Sequence, residues 1–191
     1  MGQYYRIAFK RRNKIRVNDL KVKGIDEFLG RKLMEHAYFG NRIVDSVAWL
    51  LYRNPTRLIW CGDYAEDIEI KNVTTGELSY SDIWGNQPDY DINKDKEYVL
   101  SFSEGYFDYS NKYLINKDKK LYVSFSKSES LDKMFAINPI PLLTVVGNGR
   151  GLGDYQGTNM GFVGSWAWDR IEIVYTVPKG YKELEVKFVE E

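Results

Sequence analysis

Ile171-Glu172-Ile173-Val174-Tyr175-Thr176-Val177 alternates apolar and polar residues, Pro178-Lys179-Gly180 interrupts it, and Leu184, Val186 and Phe188 alternate again. A period of two puts successive side chains on opposite faces of a half-buried strand. Two such runs joined by a short Pro-Gly turn imply antiparallel pairing. The same pattern recurs toward the N-terminus. Tyr5, Ile7 and Phe9 alternate with polar residues, Arg11-Arg12-Asn13-Lys14 turns, and Ile15 and Val17 return. Arg57-Leu58-Ile59-Trp60 reads as a short strand ending in Cys61-Gly62. Asp67–Val73 and Glu77–Tyr80 read as strands around the turn Thr74-Thr75-Gly76. Residues 98–102 read as another. Tyr113-Leu114-Ile115 and Leu121–Phe125 form a hairpin across Asn116–Lys120, and Leu142–Val146 is a short apolar strand. Residues 81–96 are polar and read as a surface loop.

One convincing helix interrupts this series. Ile43, Val47, Leu50 and Leu51 fall at helical spacing, Asn41 is placed to cap the first turn, and Asn54-Pro55 stops the segment. A shorter helix is expected over 29–38. The expected fold is therefore α+β: a mostly antiparallel sheet with one principal amphipathic helix, about 41–53, on one face and a short helix before it. At 191 residues, a single globular domain spanning 1–191 is the expectation.

Composition narrows the function. Lys+Arg and Asp+Glu balance at 27 each, which argues against a polyanion or nucleic-acid partner. The basic run Arg6, Lys10, Arg11, Arg12, Lys14 and Arg16 suits a charge-protected edge strand, or else a phosphate-facing patch. A single cysteine, Cys61, makes no internal disulfide, and with His36 as the only histidine no Cys- or His-rich metal site can form. No metal and no cofactor is expected. No apolar run is long enough to cross a membrane. The first residues lack the apolar core of a signal peptide, and Arg6 stands where N-myristoylation needs Ser or Thr. The expectation is a cytoplasmic protein.

The densest chemical feature is the loop Gly147-Asn148-Gly149-Arg150-Gly151-Leu152-Gly153-Asp154-Tyr155-Gln156-Gly157; with Gly161 and Gly164, seven of the 16 glycines fall within eighteen residues. Its glycine offsets match neither a dinucleotide fingerprint nor a P-loop. A generic nest of N–H groups with Arg150 beside it could hold a small anion; a bend in the chain is the alternative. The tripeptide Gly-Asp-Tyr occurs twice, at 62–64 and 153–155. Asp63 and Asp154 are candidates for paired carboxylates, with His36 or Glu35 as general acid or base; Asp after Gly is also ordinary turn chemistry. Trp166 and Trp168 would share a strand face if that segment were extended, and could stack a ligand or partner. The candidate binding set is Asn148, Gly149, Arg150, Gly151, Gly153, Asp154, Tyr155, Asp63, Tyr64 and Trp166.

Several of these stretches resemble a known family when taken together. Met1-Gly2-Gln3-Tyr4-Tyr5, Lys32-Leu33-Met34-Glu35-His36 with Gly40-Asn41, Trp60–Glu66, Pro139–Thr144, Gly147–Gly151, Gly153-Asp154-Tyr155 and Gly164-Ser165-Trp166-Ala167 resemble a family of uncharacterised proteins from gut bacteria and their phages. Cys61 stands where that family usually has a small residue, and Trp168 where it often has a charged one. The resemblance implies one full-length domain and carries no catalytic residue across. By analogy alone it implies a role in the contest between phage and host. The leading expectation is a non-enzymatic binding protein for a small anionic, nucleotide-like ligand or a protein partner, such as a phage-encoded inhibitor of host defence. The alternatives are a hydrolase or transferase using Asp63 and Asp154, and a structural or accessory phage protein.

Overall fold

The computed structural model describes residues 2–11, 13–17, 32–33, 37–85, 106–128 and 136–189. Within them, one eight-stranded mixed sheet organises an α+β fold. The N-terminal hairpin forms as expected, β1 (Tyr5–Arg11) against β2 (Lys14–Val17), with β2 at the sheet edge. β3 (Thr56–Gly62) pairs along β1, bringing Tyr5 opposite Gly62. The other edge of β3 is shared. Its first residues pair with β7 (Arg170–Val174), and Trp60 and Cys61 pair in parallel with the two-residue β6 (Val145–Val146). That division sends the chain leaving β6 into the glycine loop at the same end as Gly62. β4 (Tyr113–Asn116) and β5 (Leu121–Ser124) form the second expected hairpin, with β4 also against β7.

The longest described helix, α1 (Arg42–Leu51), starts where its cap predicts. The Asn41 side chain accepts from the Ile43 amide at 2.9 Å. Replacing Asn41 with alanine is expected to cost about 1 kcal/mol, read from urea unfolding. α1 and the short α5 (Pro139–Thr144) lay Val44, Val47, Leu51, Leu142 and Leu143 on one sheet face, against Ile7, Phe9, Trp60 and Ile173.

The second face is also covered. α2 (Asp67–Val73) and α3 (Tyr80–Trp84) place Ile70 and Ile83 against Ala8, Ile59 and Cys61. The sheet thus lies between helical layers, and α1 does not stand alone. One more short helix, α4 (Phe125–Ser128), follows β5.

This corrects several sequence expectations. Asp67–Val73 is helical, not extended: Ile70 and Val73 face inward at helical spacing while Ile68 stays exposed. Glu77–Tyr80 is no strand, since Ser79 opens α3 with a reciprocal cap to Asp82 inside the segment expected to be loop. Leu142–Val146 is mostly the end of α5, which Asn138 caps and Pro139 begins. The C-terminal run does not return antiparallel on β7. Only β8 (Lys182–Glu183) forms, and it pairs in parallel with β5. The expected strand over 98–102 lies outside the described residues, as does most of the expected helix over 29–38.

Candidate functional site

The glycine loop closes over the N-terminal residues. Gln3 is fully buried beneath it, its Nε2 donating to the Gly147 carbonyl at 3.0 Å. The Gln3 amide donates to the Leu152 carbonyl at 3.2 Å. Glycine is required here for space: a Cβ on Gly62 would lie 1.6 Å from Gln3 Nε2, and one on Gly151 would lie 2.6 Å from Gln3 Cβ. Part of the glycine cluster therefore reflects backbone packed against backbone.

The nest exists, and its anion is internal. Asp154 Oδ2 accepts from the amides of Gly149, Arg150 and Gly151 at 2.8, 2.8 and 2.9 Å. Asp154 Oδ1 accepts from the Tyr5 hydroxyl at 2.7 Å. Asp154 is only 5% exposed. Three converging N–H groups are the arrangement that holds a phosphate or carboxylate oxygen, and here a side chain five residues or fewer along the chain supplies it. The expected external anion position is filled by Asp154. Burial, and then the Asp154 carboxylate, push the Tyr5 pKa well above its ordinary value, so its proton stays on the donor side of this bond.

Asn148 and Tyr155 close the loop from outside the nest. Asn148 Nδ2 donates to the Tyr155 carbonyl at 3.1 Å and its Oδ1 accepts from the Tyr155 amide at 2.9 Å. The Tyr155 ring is buried edge-on against Phe188. These two expected ligand residues are the loop's fasteners, as is Gly153, whose φ of +83° makes the last turn.

The two Gly-Asp-Tyr turns both contact the start of β1: Asp154 accepts from the Tyr5 hydroxyl and Asp63 from the Tyr4 amide. Asp63 has its own tie: Oδ1 accepts from the Tyr4 amide at 3.1 Å, and the Asp63 amide donates to the Tyr4 carbonyl at 2.9 Å. Arg150 does not point into the nest. Its guanidinium reaches Glu66 at 2.8 Å and Glu69 at 3.0 Å, and also donates to the Tyr64 carbonyl at 3.4 Å.

Trp166 is 1% exposed and belongs to the large core, which removes it from the candidate binding set as a stacking surface. The segment from Gly164 to Trp168 turns instead of extending, with positive φ at both ends. As a result Trp166 and Trp168 enter the cores on opposite sides of the sheet. Cys61 is buried and its thiol is pushed up to about 12, chiefly by burial, so it packs without reacting. Glu35 and His36 lie outside the described residues. Among the described residues, no group of three or more His, Cys, Asp or Glu could hold a metal ion, and no helix is long and apolar enough to cross a membrane.

Two residues outside the expected set, Leu152 and Tyr4, are exposed along with the expected Tyr64. Leu152 lies between two glycines and is 74% exposed. The backbone contacts place residues 2–4 between the Leu152 turn and the Asp63-Tyr64 turn. A large apolar residue stranded between glycines was the available signal for Leu152. Gln3 and Tyr5 carried none, because their roles depend on partners about 150 residues away. Comparison with family models, curated proteins and solved structures finds no match.

Proposed function

We propose that this is a non-enzymatic binding protein that presents the 147–157 loop to a protein partner. The observation that carries this reading is the Asp154 carboxylate seated in its own nest. It holds the loop in one conformation and leaves Leu152 standing out at the apex. Tyr4, Tyr64 and Arg150 are exposed as well, with Arg150 donating to the Tyr64 carbonyl. Exposed aromatic, aliphatic and arginine side chains on a rigid backbone suit a protein interface, because little conformational entropy is lost on contact. The family resemblance directs the search toward host proteins, an inhibitor of host defence being one concrete form.

A small anionic ligand is the less favoured occupant, since the amides that would bind it already serve Asp154. The hydrolase alternative is also less favoured. It asks Asp154 to exchange a proton while its two oxygens accept four hydrogen bonds. A photo-crosslinking residue placed at Leu152, and one at the exposed Lys179 turn as control, separate these readings. The Leu152 probe is expected to trap one discrete host protein that the Lys179 probe does not, and Tyr64→Ala is expected to weaken the trapping. A thermal-shift panel of nucleotides and phosphate is expected to leave the melting temperature unchanged. A nucleotide-dependent rise, or identical crosslinking from both positions, contradicts the proposal.

A further inference from the structure

The glycine loop holds the one Asn-Gly pair in the chain, Asn148-Gly149. Asparagine is a labile side chain, and before glycine it is at its most reactive, because no Cβ keeps the next backbone nitrogen from the carboxamide carbon. Gly149 is exposed, its φ is +93°, and a Cβ there would meet nothing within 4 Å. Crowding therefore does not shield the pair; hydrogen bonds restrain it. Asn148 commits both ends of its carboxamide to Tyr155, Nδ2 to the carbonyl at 3.1 Å and Oδ1 to the amide at 2.9 Å. Gly149 commits its N–H to Asp154 Oδ2 at 2.8 Å. The electrophile and the nucleophile are neighbours in the chain, yet each is tied to a different partner. Asp154 is itself anchored by two more amides and the Tyr5 hydroxyl, so both ties belong to the closed loop.

We propose that Asn148 is a site of spontaneous covalent modification, a latent succinimide that the closed loop holds shut and an open loop releases. In the first step the Gly149 nitrogen bonds to Asn148 Cγ and the Cγ–Nδ2 bond breaks. Nδ2 leaves as ammonia, carrying the proton lost from the Gly149 nitrogen. Water then opens the five-membered imide at one of its two carbonyls, giving aspartate or isoaspartate. One water is consumed, one ammonia is released, and nothing is oxidised or reduced. Both products lack the Nδ2 donor that the Tyr155 carbonyl uses. The aspartyl form turns a carboxylate oxygen toward that carbonyl, and the isoaspartyl form lengthens the main chain by one carbon. Each change favours the open loop, so an opening that runs to reaction unlocks the loop permanently. Asp154 accepts the very proton the step must remove. In the closed loop the carboxamide is held on Tyr155, and Asp154 acts as a lock and not as a base. The inference holds whatever the loop binds.

The full-length protein, aged at mildly alkaline pH both folded and unfolded in urea, tests this. Peptide mass spectrometry follows the amide-to-acid mass gain and the isoaspartate at position 148. The folded chain is expected to convert at least ~10-fold more slowly, tenfold for each ~1.4 kcal/mol by which the closed loop outweighs the open one. Asp154→Ala, aged under conditions where it stays folded, is expected to convert at a rate approaching that of the unfolded chain. Asn148→Asp builds in the aspartyl product and is expected to speed hydrogen exchange at the amides of Gly149, Arg150 and Gly151. Where Asp154→Ala does not fold, the comparison of folded and urea-unfolded protein needs no substitution and still decides. Equal rates in the folded and unfolded chain, a folded Asp154→Ala that converts no faster than the unmodified sequence, or Asn148→Asp amides as protected as before, overturns the proposal.

Discussion

Replacing Asp154 with alanine is expected to lower stability by about 3 kcal/mol, because each buried or half-buried donor left without an acceptor costs about 1–3 kcal/mol. The substitution strands the amides of Gly149, Arg150 and Gly151 and the buried Tyr5 hydroxyl together. Water entering the opened loop can satisfy some of them, which keeps the loss below the sum of four separate penalties. For a chain of this length the melting temperature should fall by about 2–4 °C per kcal/mol. Asp154→Asn gives the more telling comparison. An amide can place its oxygen in the nest and turn its NH2 toward the Tyr5 oxygen, which then accepts instead of donating. The asparagine variant should therefore recover much of the loss. A residue positioned only to meet an outside ligand would show little stability loss in either variant.

Trp166→Ala is expected to be as damaging, at about 3–5 kcal/mol, the range for removing a buried aromatic ring from a packed core. The ring is enclosed in the large core, and its backbone amide is tied to the Leu143 carbonyl at 2.7 Å. Trp166→Phe should cost much less, since a phenyl ring refills most of the space. Thermal and urea unfolding of the two variants distinguish a core residue from a binding platform. A platform tryptophan could be removed with its stability nearly unchanged.

These two residues mark where sequence reading succeeds and where it stops. Strand alternation finds β1, β2 and β7, short apolar runs find β3, β4 and β5, and helical spacing with an Asn cap finds α1, because those signals are local. Asp67–Val73 reads as a strand in sequence because Ile68 and Ile70 alternate with charged residues. The helical evidence lay elsewhere: Asp67 and Lys71 one turn apart as an ion pair, and Val73 three residues after Ile70. Leu142 and Leu143 read as extended in sequence, since a short, wholly buried apolar run has no polar face to reveal its period. Asn138-Pro139 was the usable signal for the start of a helix there. Within the site, the glycine cluster and Asp154 were both visible, yet their relation was not. A nest looks the same in sequence whether its anion comes from solvent or from three residues further on. The Tyr5 contact that completes it spans 149 positions.

Backbone amide hydrogen exchange by NMR at Gly149, Arg150 and Gly151, with and without inorganic phosphate, tests most directly whether Asp154 is the nest's own ligand. The expected result is three protected amides whose resonances ignore phosphate and whose protection disappears in Asp154→Ala. Three fast-exchanging amides whose resonances move as phosphate is added would contradict it, and would return the loop to the role of an open anion receptor.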